Sequence, residues 1–377
     1  MIITKTYPRS KKIIIALVLA TSCAVSIVGL RFAHALTSPP PLEDVTVTQL
    51  TPNAPNTAGA NSQSADTAKS KEEKTAATDA AKKTAPSPTQ SGTTQKATYA
   101  PIVTASPKGK RLYVDASAKI GQPVEIASQA TAIWLGGWNA DVRQTANANV
   151  SAAAAQGSLA TFVLYNIPAR DCGSYSAGGA SGSQSYRAWV RSVAAGIGTR
   201  EAIVIVEPDA LPGITCLSKD DQASRYADIA DAVNVLATQT KSFVYLDAGN
   251  SSWVDANTMV SRLEKANIAQ ARGFSMNVSG FQSTQSTTQY GEKISAKNGK
   301  SYVIDTSRNG QGPNGNEWCN PRGRGLGKKP TTATSGNLDA YLWVKIPGES
   351  DGECNNGPSA GTWWDDYAQE LIRNAVY

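Results

Sequence analysis

From about Pro107 onward the chain repeats one texture: a short apolar run, a polar break, then a longer stretch with apolar positions three to four residues apart. The apolar runs are AIWL (132–135), TFVLYN (161–166), AIVIVEP (202–208), FVYLDA (243–248), GFSMN (273–277), SYVID (301–305) and AYLWVK (340–345). They are apolar throughout instead of at alternate positions, as strands are when both faces of a parallel sheet are covered. Helical spacing fills most of the gaps, for example SYRAWVRSVAAGI (185–197) and QASRYADIADAVNVLA (222–237). Alternation of this kind over about 270 residues predicts an α/β fold, and seven strands suit a parallel barrel better than a two-edged sheet. No GxGxxG opens a helix after the first strand and no Walker loop is present, so no nucleotide cofactor is expected.

In such a barrel the chemistry gathers where strands end, and acids stand at five of these ends. IPARDCGSYSAGG carries Asp171, IVEPDALPG carries Asp209, YLDAGN carries Asp247, and VIDTSRN carries Asp305. AYLWVK leads into IPGESDGEC, with Lys345, Glu349 and Asp351. Any one of these could cap a helix or close an Asx-turn. Glu207, just before Asp209, reads as a buried structural partner, with Lys345 a candidate counter-charge. Five together, with Tyr165, Trp134, Trp138, Trp253 and Trp318 near the same ends, point to a site instead. Trp189 and Trp343 fall inside helix and strand patterns and are expected in the core.

The N-terminal third is different. Residues 1–35 carry Lys5, Arg9, Lys11, Lys12 and Arg31 with no acid, which accounts for five of the six net positive charges of the 377-residue chain. The folded part is nearly neutral, so no nucleic-acid surface is expected. The uncharged run Ile13–Leu30 is 18 residues long and is followed by Ala33-His34-Ala35. This is an export signal, either cleaved or retained as an N-terminal membrane anchor. Either way the remainder is expected outside the cell, secreted or held on the outer face of the membrane. Residues 36–106, rich in Thr, Ala, Ser, Pro and Lys, lack the apolar area to offset ordering and read as a disordered stalk. Residues 107–377 form the folded domain, expected to be a monomer.

Two counts prune the chemistry. Cys23 lies in the apolar run, leaving Cys172, Cys216, Cys319 and Cys354 for an oxidising compartment. Their spacings lack the CxxC character of a zinc site, and pairing in sequence order closes the shorter loops, so Cys172–Cys216 and Cys319–Cys354 are expected. The single histidine is His34. The folded part therefore has no imidazole for a Ser-His-Asp triad or a histidine-bound metal, and none of either is expected. Acid–base work falls to carboxylates. Two carboxyl groups across a cleft, one protonated and one ionised, are what glycosidic bond cleavage needs, and flat aromatic faces suit sugar rings.

The motifs VLYNIPARDCGSYSAGG, IVEPDALPG, YLDAGNSSW, VIDTSRNGQGPNGNEWCNPRGRGLG and LWVKIPGESDGEC resemble glycoside hydrolase family 6, in order, over roughly residues 110–377. The resemblance implies a distorted seven-stranded α/β barrel and inverting cleavage of β-1,4-glucan, with no cofactor. It implies Asp209 as general acid, Asp171 as the group that supports that acid's pKa and holds the attacking water, and Asp351 as the candidate base. Asp247 becomes an electrostatic partner, and Tyr165 the residue that crowds the sugar into a distorted ring. Trp134, Trp318, Lys345 and Glu349 match sugar-binding positions, and Asn250 and Trp253 border them.

Two departures stand out. The family has DAGH where this chain has DAGN, so Asn250 replaces a histidine. The family often has asparagine-tyrosine where MNVSGF places Gly280 and Phe281. The short span between Cys319 and Cys354 leaves no room for tunnel-forming insertions, so an open groove and internal cleavage of cellulose or a related β-glucan are expected. An exo-acting cellobiohydrolase and a non-catalytic glucan-binding homologue are the alternatives; the full acid set argues against the second.

Overall fold

The computed structural model describes residues 105–377 apart from Ala116 and Ile120. The export segment and all but the end of the expected stalk lie outside the described residues. Among the described residues eight strands run parallel: β1 (Arg111–Leu112), β2 (Ile133–Leu135), β3 (Ser158–Leu164), β4 (Ala202–Val206), β5 (Phe243–Asp247), β6 (Gly273–Met276), β7 (Ser301–Asp305) and β8 (Leu338–Leu342). From β3 to β8 each strand pairs with the next, while β1 and β2 share the free edge of β3, β1 at its start and β2 further along. The seven expected strands are all present. The addition is β1, two residues that carry no strand signature of their own.

The all-apolar runs have a simple cause: both faces are buried. Ile203 and Ile205 point inward with Val163, Phe243, Tyr245, Val303 and Leu342. Their neighbours Val204 and Val206 point outward, against the helices. Those helices are α1 (Val124–Ala127), α2 (Val142–Ala155), α3 (Ser183–Ile197), α4 (Lys219–Gln239), α5 (Ala256–Lys265), α6 (Thr284–Asn298) and α7 (Asp365–Arg373). Trp343 is buried in a third cluster with Leu326, Tyr367 and Leu371 of α7. Trp189 packs beside Tyr186, both on α3.

Four helices start on residues that are not strand-end acids. Asp141 accepts from Gln144 N–H, Ser218 from Asp221 N–H, Asp255 from Asn257 and Thr258 N–H, and Ser283 from Ser286 N–H. Capping is therefore done elsewhere, and the strand-end acids are free for other roles. At the base of the barrel, buried Asp339 takes both Arg272 (2.8 and 2.9 Å) and the Tyr245 hydroxyl (2.8 Å), and Ser106 reaches it at 3.2 Å.

The barrel does not close completely. Between β2 and the exit of β8, Ala132 N–H donates to Trp343 O at 3.0 Å and the Trp134 indole to Val344 O at 2.9 Å. The disulfides are Cys172–Cys216 and Cys319–Cys354, 44 and 35 residues apart. Each ties two loops at the strand exits. Opening the first with Cys172→Ser and Cys216→Ser frees a 44-residue loop of the unfolded chain, at an expected cost of about 4 kcal/mol. A thermal melt checks it, and an unchanged Tm would refute it.

Candidate active site

The strand exits open onto one groove of about 1280 Å³. Tyr165, Asp171, Asp209, Lys345, Glu349 and Asp351 line it, as do Trp134, Asn250, Trp253 and Trp318. Of the expected strand-end acids Asp247 and Asp305 do not line it; both carboxyls are buried beneath the groove floor.

The exit of β4 is bent twice. Glu207 (φ 49°) and Asp209 (φ 69°) both take the left-handed conformation, with Pro208 between them. A non-glycine residue there costs about 1–2 kcal/mol, so something must hold the turn. Two buried carboxylates do. Asp247 Oδ2 accepts from Asp209 N–H at 3.0 Å and Gly249 N–H at 3.1 Å. Glu207 accepts from Asn166 N–H (3.0 and 3.1 Å) and Ile167 N–H (3.1 Å), tying this exit to that of β3. Burial pushes both acids up to about 7 against the pull of these N–H groups. Lys345 is not the partner of Glu207; it sits 3.6 Å from Asp351, while Arg225 is the base near Glu207. The outcome of the double bend is that the Asp209 carboxyl enters the groove, and among the described residues nothing donates to it. Burial, then the charges of Asp247, Asp171 and Asp351, push its pKa well above the ordinary value.

At the exit of β3, Ala169, Asp171 and Cys172 also have positive φ (51°, 55° and 51°). Arg170 pins this loop, donating to Ser176 O (2.7 Å), Tyr165 O (2.8 Å) and Ala177 O (3.0 Å) while lying over the rings of Tyr165 and Trp138. Gly179 is obligatory, since a Cβ there would lie 1.9 Å from Ile167 O. The loop so formed aims Asp171 at the groove with Ser176 N–H on its Oδ2 at 2.7 Å. Burial raises its pKa, and Ser176 N–H and Arg170 oppose. Tyr165 meets Trp134 edge to face at 5.2 Å, and burial and the nearby acids push its hydroxyl pKa up.

Asp305 is buried and accepts four backbone N–H groups: Ser307 (2.9 Å), Val344 (3.2 Å), Ser279 (2.9 Å) and Lys345 (3.0 Å). It knots together the exits of β6, β7 and β8. Three residues on, fully buried Arg308 donates to Asp351 Oδ2 at 2.9 Å, and Asn320 N–H donates to the same oxygen at 3.0 Å. Burial alone would raise the pKa of Asp351, but Arg308 and then Lys345 outweigh it and hold the carboxyl below the ordinary value. Glu349 goes the other way: burial raises it, and Lys345 and Arg308 oppose. The groove thus holds one carboxyl pushed toward its neutral form and another fixed as an anion.

The family model for glycosyl hydrolases family 6 matches residues 94–375. The chain belongs to glycoside hydrolase family 6. Endoglucanase A of Cellulomonas fimi is 45% identical over 256 residues, covering 67% of this chain and 56% of that relative. Endoglucanase 1 of Streptomyces halstedii is 42% identical over 257 residues, covering 66% and 79%. This family 6 chain therefore spans little more than half the length of the Cellulomonas relative. Among solved structures, the Mycobacterium tuberculosis endoglucanase Cel6, in complex with methyl-cellobiosyl-4-deoxy-4-thio-β-D-cellobioside, aligns with a TM-score of 0.68 at 43% identity, covering 72% of this chain and 99% of that one. Endoglucanase Cel6B from Humicola insolens aligns at 0.57 with 28% identity, covering 66% and 86%.

Against the family pattern, Asn250 lines the groove with its Oδ1 turned to Ser252 N–H (3.0 Å) and hydroxyl (2.9 Å). Trp253 lies against Gly249 and Gly213, half exposed at the rim. Arg308, Arg170 and the four-fold role of Asp305 were not expected from the sequence. The exposed ring of Tyr175 was not expected either: it lies beside Gly352 and within 6.1 Å of the Trp318 ring, and both aromatics line the groove.

Proposed function

We propose that this family 6 chain is an endo-β-1,4-glucanase that cleaves cellulose or a related β-glucan with inversion, outside the cell. The observation that carries the reading is the opposite setting of two groove carboxyls. Asp351 is held by Arg308 at 2.9 Å and faces Lys345 at 3.6 Å, which lower its pKa. Among the described residues nothing donates to Asp209, which is buried among acids that raise its pKa. Asp209 is the general acid. Its neutral form survives at working pH because burial and three neighbouring carboxyls oppose ionisation, so it can give its proton to the glycosidic oxygen as the bond to the anomeric carbon breaks. Positive charge then develops on the sugar. Asp351, held ionised by Arg308 and Lys345, stabilises that charge and is a poor proton acceptor for the same reason. Asp171, with its raised pKa and looser hold, takes the proton of the attacking water, directly or through a second water.

Tyr165 faces the cleavage point with its hydroxyl and crowds the ring. Trp134, Trp253 and Trp318 supply flat faces for the sugars to either side. The relatives named endoglucanases support the substrate class and the internal mode of attack.

Proton NMR of cellohexaose hydrolysis tests the mechanism. Inversion gives the α-anomer first, and the β-anomer first would sink it. On carboxymethyl cellulose, viscosity should fall well before reducing ends accumulate; the reverse order would favour attack from chain ends.

A further inference from the structure

Residues 277–281, NVSGF, form a turn whose shape follows from its sequence. Asn277 (φ 61°) and Ser279 (φ 57°) are left-handed, and Gly280 N–H closes on Asn277 O at 2.8 Å. The Asn277 side chain fastens the turn at both ends, accepting from Gln282 N–H at 3.0 Å and donating to Asp305 O at 3.0 Å. Gly280 is required, because a Cβ there would stand 2.3 Å from Asn277 Oδ1. Ser279 N–H is held by Asp305 Oδ2 at 2.9 Å. Val278 to Phe281 line the groove, but among the described residues no hydrogen bond from this turn ends on Asp171, Asp209 or Asp351. Its two outputs both meet Arg308: Ser279 O accepts from Nη2, and the Phe281 ring lies 4.4 Å below the guanidinium carbon.

Arg308 needs such support. It is fully buried, its Nη1 is committed to Asp351, and its Nε has no partner among the described residues. A buried cation short of one hydrogen bond depends on its other contacts, and a desolvated aromatic face is a strong one. Phe281 is itself only 3% exposed, so the stack is shielded from water.

We propose that the Asn277–Phe281 turn is a cradle for Arg308 and that Phe281 is a positioning residue that keeps the guanidinium on Asp351. The inference rests on the proposed hydrolytic role of the groove only for its kinetic consequences. Asp351 is faced by Arg308, Lys345, Glu349 and the charge of Asp209, and Arg308 by Asp351, Asp305, Glu349, Lys345 and Tyr367. Weakening the hold of Arg308 leaves the acids of this set less opposed, so Asp351 binds a proton more readily.

Phe281→Leu keeps an apolar side chain and removes the ring face; Phe281→Tyr keeps the face. Carboxyl ¹³C NMR titration of Asp351 reads the effect without any turnover. In Phe281→Leu its midpoint should move up, and in Phe281→Tyr it should stay at the wild-type value. On cello-oligosaccharides, Phe281→Leu should lose about 5- to 10-fold in kcat with KM changed less than about twofold, and the acid limb of its pH profile should move toward neutrality. An unmoved Asp351 titration in Phe281→Leu, or a Tyr variant that behaves like the Leu variant, overturns the cradle. Should Phe281→Leu not fold, Phe281→Met takes its place with the same criteria. A wild-type chain that cleaves no β-1,4-glucan defeats the proposed function instead, and the titration still decides the cradle.

Discussion

Asp209→Asn is expected to lower kcat on unsubstituted cello-oligosaccharides about 10³- to 10⁴-fold, the loss that follows removal of a positioned general acid. The change is isosteric, and nothing donates to the Asp209 carboxyl among the described residues, so the double bend at Glu207 and Asp209 should survive. KM should therefore stay within a few-fold. A substrate with a dinitrophenyl leaving group needs little protonation and should lose far less, which separates loss of the acid from loss of the fold. Equal losses on both substrates would refute the assignment.

The pH dependence has a definite sign. In the wild type, activity should fall on the alkaline side as pH passes the raised pKa of Asp209, and that limb should vanish from the residual activity of Asp209→Asn. Stability falls in the same direction with pH. A carboxyl whose pKa is raised by folding binds more protons folded than unfolded, so between its ordinary value of 3.8 and the raised value each rise in pH weakens the fold. Asp209→Asn should accordingly melt higher than wild type at neutral pH, with the gain disappearing at the acid end of that window. A variant less stable at neutral pH would contradict this.

Asp305→Ala is expected to be the most destabilising single change at the groove, by about 3–5 kcal/mol. It strands four buried N–H groups from three different strand exits. Asp305→Asn should lose less, since its amide keeps one oxygen able to accept. Chemical denaturation of the three proteins measures the order, and an Ala variant within about 1 kcal/mol of wild type would refute the knot described above. Because Lys345 N–H and Ser279 N–H both hang from Asp305, activity should fall with stability in the Ala variant.

Much of this was legible in the chain. Ile203 to Val206 announce a strand because parallel sheets bury both faces, and the packing bears that out on each side of β4. The strand-end acids were visible because the barrel exposes those ends. What was not legible depends on partners distant in sequence. β1 is two residues, too short for any period. Arg308 looks like a solvated base after VIDTS, and its burial is set by Asp351, Ser279 and Phe281 from other exits. Asp305 looked like one more groove acid, but its oxygens are consumed by backbone from three loops. Glu207 was rightly read as buried and structural; its counter-charge was misjudged because Arg225, on α4, reaches it from behind the sheet.

The incomplete seam between β2 and β8 changes what shape of molecule the barrel mouth can hold. A fully closed ring of strands ends in a round pit with walls on every side, fit for a compact molecule. Here the circle is interrupted where Ala132 meets Trp343, and the groove lining runs on past Thr131, Gln122 and Lys119 beyond that gap. The interruption turns a pit into a trough with an outlet, and a trough lets a long linear molecule lie across the strand ends with its chain leaving at the side.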